Sequence, residues 1–318
     1  VPELESLAGS AVASRPERGV HLVGDRIVTR LQNPPNPPLG GLSPAQQDLG
    51  RQGQAIYSQL CASCHGPSGT GIQIAGGMVG SSLAGSEGVV GHRDHVIKAL
   101  VYGIQGPDAQ MPAMGENPDE WVAAVSSYIR NTFSNQAPPI SPEQVAAVRA
   151  ANAGRSAPFT YAQLVASIPV LLEPQQNWRV TASHSARMVV GATAEPAGAF
   201  TFEGWTTGRA QEAGMWFQVE LPAATRLTEI EFTSPTQGGR GNPPRRAAPQ
   251  AYRVETSMNG TSWTSVAEGQ PEGTAATTIT FEPVQARFVR ITQTASAEDA
   301  PVWTMHRLKL YAPPGTQQ

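Results

Sequence analysis

The chain has 318 residues, enough for two domains, and a hydrophobic fraction of 40% that is compatible with packed cores. Its formal net charge is only −3, so the composition implies no polyanionic partner such as nucleic acid. No apolar run approaches the roughly 20 residues that a membrane-spanning helix needs. The sequence therefore favours a multidomain protein without a transmembrane segment.

Residues 1–43 form an N-terminal extension that carries no identifiable chemistry. The stretch from Val20 to Val28 is compatible with a strand. Pro34-Pro35-Asn36-Pro37-Pro38 then predicts an extended linker, because proline fixes φ and removes a backbone donor. The extension is either a lead-in of its own or the trailing piece of a preceding domain. We accordingly expect the chain to be a mature protein or a fragment of a longer one.

The first helix is predicted to begin at Ser43, a good N-cap that is followed by Pro44 at the first helical position. Its buried stripe consists of residues at helical spacing, namely Leu49, Gly53, Ile56, Tyr57 and Leu60. This helix leads directly into Cys61, where the chain carries its most specific motif.

The only two cysteines lie in Cys61-Ala62-Ser63-Cys64-His65, a spacing typical of c-type haem attachment. Each thiol can add to one haem vinyl group, and His65 then lies beneath the iron and supplies an imidazole. A thioredoxin-like dithiol would need a βαβ context, and a zinc site would need a fourth ligand nearby. No disulfide framework competes for these cysteines. The sequence therefore predicts one covalent haem c.

Two further helices are predicted in this half, one from His92 to Gly103 and one opened by Asn117 and Pro118. His92 and His95 are alternative iron ligands, since bis-histidine haems exist. We instead place both histidines in the solvated first turn of the earlier helix.

Met111 is the preferred distal iron ligand. It lies 46 positions after His65 (111 − 65) and directly precedes Pro112. Met114 remains the alternative because it shares the same loop, and Met78 is interpreted as core or pocket wall.

Three segments of this half resemble those of a monohaem class I cytochrome c, across roughly residues 44–134: Gln54 to Gly66, Met111 to Gly115 and Trp121 to Arg130. The resemblance implies an all-α domain with His65 and Met111 as axial ligands, in which the last helix crosses the first near Gly53. It assigns further cofactor-contacting side chains to the pocket: Pro112, Tyr57, Tyr102 and Tyr128.

Residues 135–175 are predicted to form a helical bridge. One helix begins at Ser141-Pro142-Glu143, and a second lies around Tyr161 to Ser167. The bridge has enough structure to hold two domains in a defined relation, but too few apolar residues for a core of its own.

From about Trp178 the pattern changes to short strands separated by turns. Trp216 to Leu221 and Arg287 to Ile291 alternate with period two, and Asn259-Gly260 marks a hairpin turn. Strands at this spacing, with almost no helical pattern, predict an all-β sandwich.

This half resembles the discoidin domain, the C-type domain of coagulation factors V and VIII, over residues 176–313, which leaves 314–318 as a tail. The likeness lies in three segments: Trp205 to Leu221, Tyr252 to Trp263, and Ala286 to Ile291 with the closing Trp303 to Tyr311. It implies an eight-stranded jelly roll whose end loops bind glycans or other surfaces. The aspartates of the relatives' calcium loop are missing from Ala199 to Gly204, which leaves a calcium site in doubt.

A sugar-binding end of this sandwich is one interpretation of four side chains, because aromatic faces and forked donors suit pyranoses: Trp205, Arg209, Trp303 and His306. The simpler interpretation places the tryptophans in the core and leaves the polar residues merely exposed.

With His65 and Met111 both on iron, no coordination position remains for a substrate. The resemblance therefore implies an electron carrier rather than an enzyme, combined with a carbohydrate- or surface-binding module. One alternative is an electron-outlet subunit or fragment of a larger dehydrogenase or membrane-associated redox complex. The other is a glycan-binding adhesion protein with a structural haem. The domain combination also resembles the C-terminal part of bacterial multidomain haem-binding proteins.

Haem c is attached outside the cytoplasm, so we expect a periplasmic or extracellular protein, with a peripheral position on a membrane complex as a further option. The expected partners are redox proteins, among them a dehydrogenase or a membrane complex, and glycans.

Overall fold

The computed structural model describes residues 18–23, 26–31, 44–75, 77–106, 110–174, 176–186, 195–237, 245–271, 276–296 and 300–316. The proline-rich linker, the N-cap at Ser43 and the side chain of Met78 lie outside the described residues. The stretch expected as one strand forms a two-stranded antiparallel hairpin, β1 (Arg18–Val23) and β2 (Arg26–Leu31).

The helices of the N-terminal half follow the predicted pattern. Among the described residues they are α1 (Pro44–Ile56), α2 (Ala62–His65), α3 (Glu87–Val90), α4 (Arg93–Tyr102), α5 (Asp119–Asn131), α6 (Pro142–Ala151) and α7 (Tyr161–Ala166). Both predicted bridge helices are confirmed as α6 and α7. A capping box starts α6: the Ser141 hydroxyl accepts from the Gln144 amide at 3.3 Å, and Gln144 Oε1 accepts from the Ser141 amide at 3.0 Å.

The first helix differs from the prediction at its C-terminal end. Residues Tyr57–Cys61 form a π-helical turn between α1 and α2, in which the Ala62 amide donates to the Tyr57 carbonyl five residues earlier. Such turns are rare and occur mostly as single insertions within α-helices, often at functional sites. The helical stripe predicted through Leu60 therefore changes phase directly before the cysteines.

Most strands lie in the C-terminal half. Those after β2, among the described residues, are β3 (Ile72–Ile74), β4 (Gly77–Gly80), β5 (Ile104–Gln105), β6 (Phe159–Thr160), β7 (Val170–Leu172), β8 (Arg179–Ala182), β9 (Trp205–Ala210), β10 (Trp216–Thr233), β11 (Thr236–Gln237), β12 (Arg245–Arg246), β13 (Tyr252–Ser257), β14 (Thr264–Gly269), β15 (Ala276–Gln293) and β16 (Val302–Ala312). Eight strands form the sandwich in the order β14-β13-β15-β10-β16-β7, with β8 paired to β10 and β9 to β16. The predicted order of a helical domain followed by an all-β sandwich is confirmed.

A close crossing of α1 and α5 organises the N-terminal core. A Cβ atom on Gly53 would lie 2.1 Å from the Ala124 carbonyl oxygen, so only glycine lets the two backbones touch. Two α6 residues of the bridge, Val145 and Val148, are buried in this same core.

The sandwich core corrects one interpretation of the sequence. Trp205 and Trp303 are 1% and 0% exposed, and their rings pack edge to face with centroids 5.2 Å apart. Neither tryptophan offers a ring face to a sugar, because both stand on inward-facing positions of the paired strands β9 and β16. Arg209 is exposed beside Glu212, whereas the His306 ring is half-buried against Gly204.

A buried polar cluster joins the two halves, and it corrects the expectation that His92 is solvated. His92 is 7% exposed because its Nε2–H donates to Glu229 of β10 at 3.2 Å and its ring packs on Tyr311 of β16 at 4.9 Å. Arg93 forms a two-pronged ion pair with Glu229, at 2.5 and 2.8 Å. Both ring nitrogens of His92 are engaged, since Nδ1 accepts from the Asp94 amide at 3.2 Å.

Two further contacts extend this interface. Lys98 of α4 donates to the Ser167 carbonyl at 2.8 Å, and Arg307 of β16 donates to the Gln136 carbonyl at 2.6 Å. Helix α4, the bridge and the outer face of the sandwich are therefore held together by side chains from all three.

The Glu229 carboxylate has a strongly perturbed pKa. Burial raises the pKa, but the charge of Arg93 and the hydrogen bonds from His92 and Arg93 outweigh burial and lower it to about 2 from the ordinary 4.5. Because the folded-state pKa is depressed, the ionised carboxylate stabilises the fold above pH 4.5, and this contribution is lost as pH falls from 4.5 through 2.

We predict that Glu229→Gln lowers the free energy of unfolding by about 3 kcal/mol at neutral pH, because Arg93 loses its two-pronged partner and keeps only the more distant Asp94, at 4.0 Å. Urea denaturation from neutral pH downward checks this, and the difference between wild type and variant should shrink as the pH falls below 4.5. Glu268→Gln, which breaks the exposed pair with Arg253, is the matched control and should leave the free energy of unfolding close to that of wild type, because solvent screens the pair. Equal losses in the two variants would contradict the prediction.

Candidate functional site

The π-helical turn and α2 present the two cysteines on consecutive turns. Cys61 is half-buried and Cys64 is exposed, and neither forms a disulfide. Burial, together with the nearby Cys64, raises the pKa of the Cys61 thiol to about 11. Because neither sulfur belongs to a disulfide, both are available to form thioethers.

His65 is held in one tautomer by the backbone. Its Nδ1 lies 2.8 Å from the Ser81 carbonyl oxygen, and because a carbonyl only accepts, Nδ1 carries the proton. In the neutral imidazole the lone pair then lies on Nε2, and this is the form that ligates a metal.

The hairpin of β3 and β4 brings the Ser81 carbonyl into place. The stretch from Cys61 to His65 is here called the attachment segment. A Cβ on Gly80 would lie 2.5 Å from the Cys64 carbonyl oxygen, so the hairpin touches the backbone of this segment. Large apolar side chains are left exposed next to this segment and on the hairpin: Leu60, Ile74 and Val79, at 50%, 59% and 38%. Two free thiols, an imidazole lone pair and uncovered apolar side chains fit a covalently attached haem.

Tyr57 and Tyr128 lie behind the attachment segment. Their rings are 5.5 Å apart, and the Tyr57 hydroxyl donates to the Gly66 carbonyl at 2.6 Å. Burial, followed by the neighbouring Cys61 and Tyr128, raises the pKa of Tyr57 to about 12, so this hydroxyl remains a donor. Gly66 adopts φ +76°, which favours glycine at the exit from the motif.

The segment that carries Met111 and Met114, the two candidate iron ligands, is hydrogen-bonded to both β5 and α4. Met111 is half-buried and exchanges two backbone hydrogen bonds of 2.9 Å with Ile104, while Met114 is also half-buried and donates to the Leu100 carbonyl at 2.7 Å. Pro112 is exposed. Gly103, at φ +74°, allows the close approach, since a Cβ there would lie 2.6 Å from the Met111 carbonyl.

Tyr102 lies with the bridge. Its hydroxyl donates to the Asn152 carbonyl at 3.3 Å, and its ring packs edge to face on Phe159. The alternative ligand His95 is half-buried with its ring 6.0 Å from that of Tyr161, and burial lowers its pKa.

Sequence reasoning missed two arginines. Arg149 of α6 donates to the segment after Met114, and Arg307 lies 3.8 Å over the ring of Phe202, which is 71% exposed. Arg307 also has a φ of +51°, a left-handed conformation that no local sequence pattern predicts. An arginine in the last turn of a predicted helix was the only available signal for Arg149.

Residues 48–129 match the family model described as cytochrome c oxidase, cbb3-type, subunit III. Cytochrome c-552 of Thermus thermophilus is 33% identical over 105 residues, which cover 30% of this chain and 68% of that protein. The chain belongs to the cytochrome c family. This membership confirms the predicted resemblance, implies haem c as the cofactor and supports an electron-carrier role.

The C-terminal half of this cytochrome matches the F5/8 type C domain model over residues 175–308, which confirms the discoidin-like sandwich. Similar solved structures include CpGH89CBM32-5 from Clostridium perfringens in complex with GalNAc-β-1,3-galactose, with 18% identity, 44% of this chain and 98% of that chain covered, and a TM-score of 0.35. The family 32 carbohydrate-binding module of C. perfringens NanJ, in complex with galactose, has 23% identity, 45% and 99% coverage, and a TM-score of 0.34.

Within the ranges that the structure describes, no helix of this cytochrome combines the length and apolar character needed to cross a membrane. The same ranges contain no group of three or more His, Cys, Asp and Glu side chains that could hold a metal ion.

We predict that Gly80→Ala destabilises the N-terminal half by about 1–3 kcal/mol, because the new methyl group overlaps the Cys64 backbone. Thermal unfolding followed by circular dichroism measures the change. Gly154→Ala is the matched control, since a Cβ there meets nothing within 4 Å. Wild-type stability in Gly80→Ala would show that the hairpin does not rest on the attachment segment.

Proposed function

We propose that this cytochrome is an extracytoplasmic electron-transfer protein with one haem c, attached covalently through Cys61 and Cys64. The observation that carries the proposal is the His65 ring, whose Nδ1 is bonded to the Ser81 carbonyl, so that Nε2 is the nitrogen left to ligate iron. When bound, the haem supplies one-electron redox chemistry. The protein's part is to orient the imidazole and to fix the macrocycle through two thioethers.

Met111 is proposed as the second axial ligand. Its amide and its carbonyl are both hydrogen-bonded to Ile104, and its carbonyl lies close against Gly103. With His65 and Met111 both holding the iron, no position would remain for a substrate, so the bound haem would supply electron transfer rather than catalysis. A thioether ligand also stabilises ferrous over ferric iron and raises the potential.

We further propose that the C-terminal module binds carbohydrate or another surface. The match to F5/8 type C domains supports this role, as does the exposed ring of Phe202 close to His306 and Arg307. Because the two tryptophans are core residues, the proposed contact surface consists of Phe202, His306 and Arg307. Arg209 lies near the opposite end of β9, beside Glu212. The alternative of an electron-outlet subunit is distinguished by identifying the proteins that co-purify with the native chain.

Met111→Ala is expected to abolish the weak far-red sulfur-to-iron charge-transfer band of the oxidised protein, to lower the potential and to open the iron to cyanide. Absorption spectroscopy and redox titration measure these changes. Met114→Ala is the matched control, in the same segment and also half-buried, and should keep the band. If the two variants behave the other way round, Met114 is the ligand.

Phe202→Ala is expected to weaken binding of the intact protein to immobilised glycans, because an aromatic face is the part of the proposed surface that stacks on a pyranose. A glycan array compares this variant with wild type, and Met258→Ala, another exposed apolar residue of the sandwich, serves as control. If the wild-type protein binds no glycan on the array, the proposed carbohydrate-binding role of the module is wrong.

A further inference from the structure

The segment of residues 110–118, which carries Met111 and is here called the distal segment, is held at its C-terminal end by one side chain. Arg149 of α6 donates from Nη1 to the Gly115 carbonyl at 2.6 Å, from Nη2 to the Asn117 carbonyl at 2.7 Å and from Nε to Asp119 at 2.6 Å. A planar guanidinium presents these donors in a fixed fork, so three bonds form with little additional loss of side-chain entropy.

The bridge also holds the other side of the distal segment. Strand β6 pairs in parallel with β5, so that Ile104 lies between Phe159 on one side and Met111 on the other. The Phe159 amide donates to the Gly103 carbonyl at 3.1 Å, and the Phe159 side chain is buried. Met111 is therefore joined through Ile104 to the bridge.

Arg149 projects from a rigid support. Its helix begins with the capping box of Ser141 and Gln144, and Val145 and Val148 are buried in the core that contains Tyr57 and residues of α1. The distal segment itself lies close against α4, since a Cβ on Gly115 would lie 2.5 Å from the Val101 carbonyl oxygen. The segment is thus clamped between α4 and the guanidinium.

We propose that Arg149 is a positioning residue that keeps the distal segment closed and thereby keeps Met111 on the iron. The proposal rests on the proposed ligation by Met111. Arg149 acts on an equilibrium between a closed distal segment and an open one. When its three bonds are lost, the carbonyls of Gly115 and Asn117 bond to water equally well in both states, so the closed state is no longer favoured by these bonds. The thioether is then exchanged more often for an external ligand. The bridge consequently serves the haem site in addition to joining the two halves.

The test is the rate at which cyanide enters the ferric holoprotein. In Arg149→Ala we expect this rate to rise by about tenfold or more, the factor that corresponds to 1.4 kcal/mol in the opening equilibrium. Arg149→Lys keeps the charge near Asp119 but loses the fork, so its rate should lie between those of wild type and Arg149→Ala. Arg287→Ala, which removes an arginine paired with Glu220 on the sandwich, is the control and should match wild type.

Three further measurements separate positioning from general destabilisation. The far-red band should weaken at a lower urea concentration in Arg149→Ala than in wild type, while loss of helical circular dichroism shifts less. The reduction potential should fall, and the amide of Met111, bonded to the Ile104 carbonyl, should exchange its hydrogen faster. A band that disappears only together with the circular dichroism would overturn the proposal.

The outcomes distinguish this proposal from the one on which it rests. If wild type shows the band and Arg149→Ala binds cyanide at the wild-type rate, the clamp is wrong and the ligation by Met111 stands. If the band is missing from wild type, the ligation is wrong and the clamp falls with it.

Discussion

The contact between the Gly53 and Ala124 backbones is the constraint on which the N-terminal half depends. With 2.1 Å between a Cβ at position 53 and the Ala124 oxygen, any larger residue would separate α1 from α5. One turn later Tyr57 packs on Tyr128, and its hydroxyl holds the Gly66 carbonyl at the far end of the cysteine motif. A single helix crossing therefore places both thiols and the histidine between two fixed points.

The two halves meet through charge. Glu229 and Glu231 of β10 face Arg93 and the fully buried Arg130 of the N-terminal half, and burial lowers the pKa of Arg130 to about 10. Within the sandwich, Lys309 of β16 pairs with Glu231. Buried ion pairs contribute little net stability relative to apolar contacts, because desolvation opposes them. Their geometric demands are strict, however, so a cluster of this kind fixes the relative orientation of two surfaces more than it strengthens their association.

Local patterns were sufficient for much of the structure. The capping residues Ser141 and Gln144 act within one helical turn, and Cys61 to His65 needs only its own spacing, so both are legible in the sequence. The π-helical turn cannot be predicted in this way, because its residues are ordinary helix formers. The one additional residue in the turn is accommodated by packing. The contact of His92 with Glu229 joins positions 137 residues apart, and no single-sequence pattern reports such a pairing.

Alternation along the strands also left one question open. It predicts which residues share a face of β9 or β16, but the direction of that face depends on how the sheets stack. Trp205 and Trp303 illustrate this, since the same period is compatible with a binding surface and with a core. The side chain of Arg149 is similar: its helix was predicted, but its acceptors belong to a segment whose position depends on α4.

The contacts of α4 and the bridge with the sandwich have a mechanical consequence. A free tether would let the cytochrome part explore a sphere around the sandwich, and its effective concentration at a nearby partner would be an average over that volume. The salt bridge from Arg93 and the bonds from Lys98 and Arg307 remove this freedom. The sandwich thus holds the cytochrome part at one fixed angle and distance, so a surface that binds the sandwich would also fix the orientation of the attachment segment.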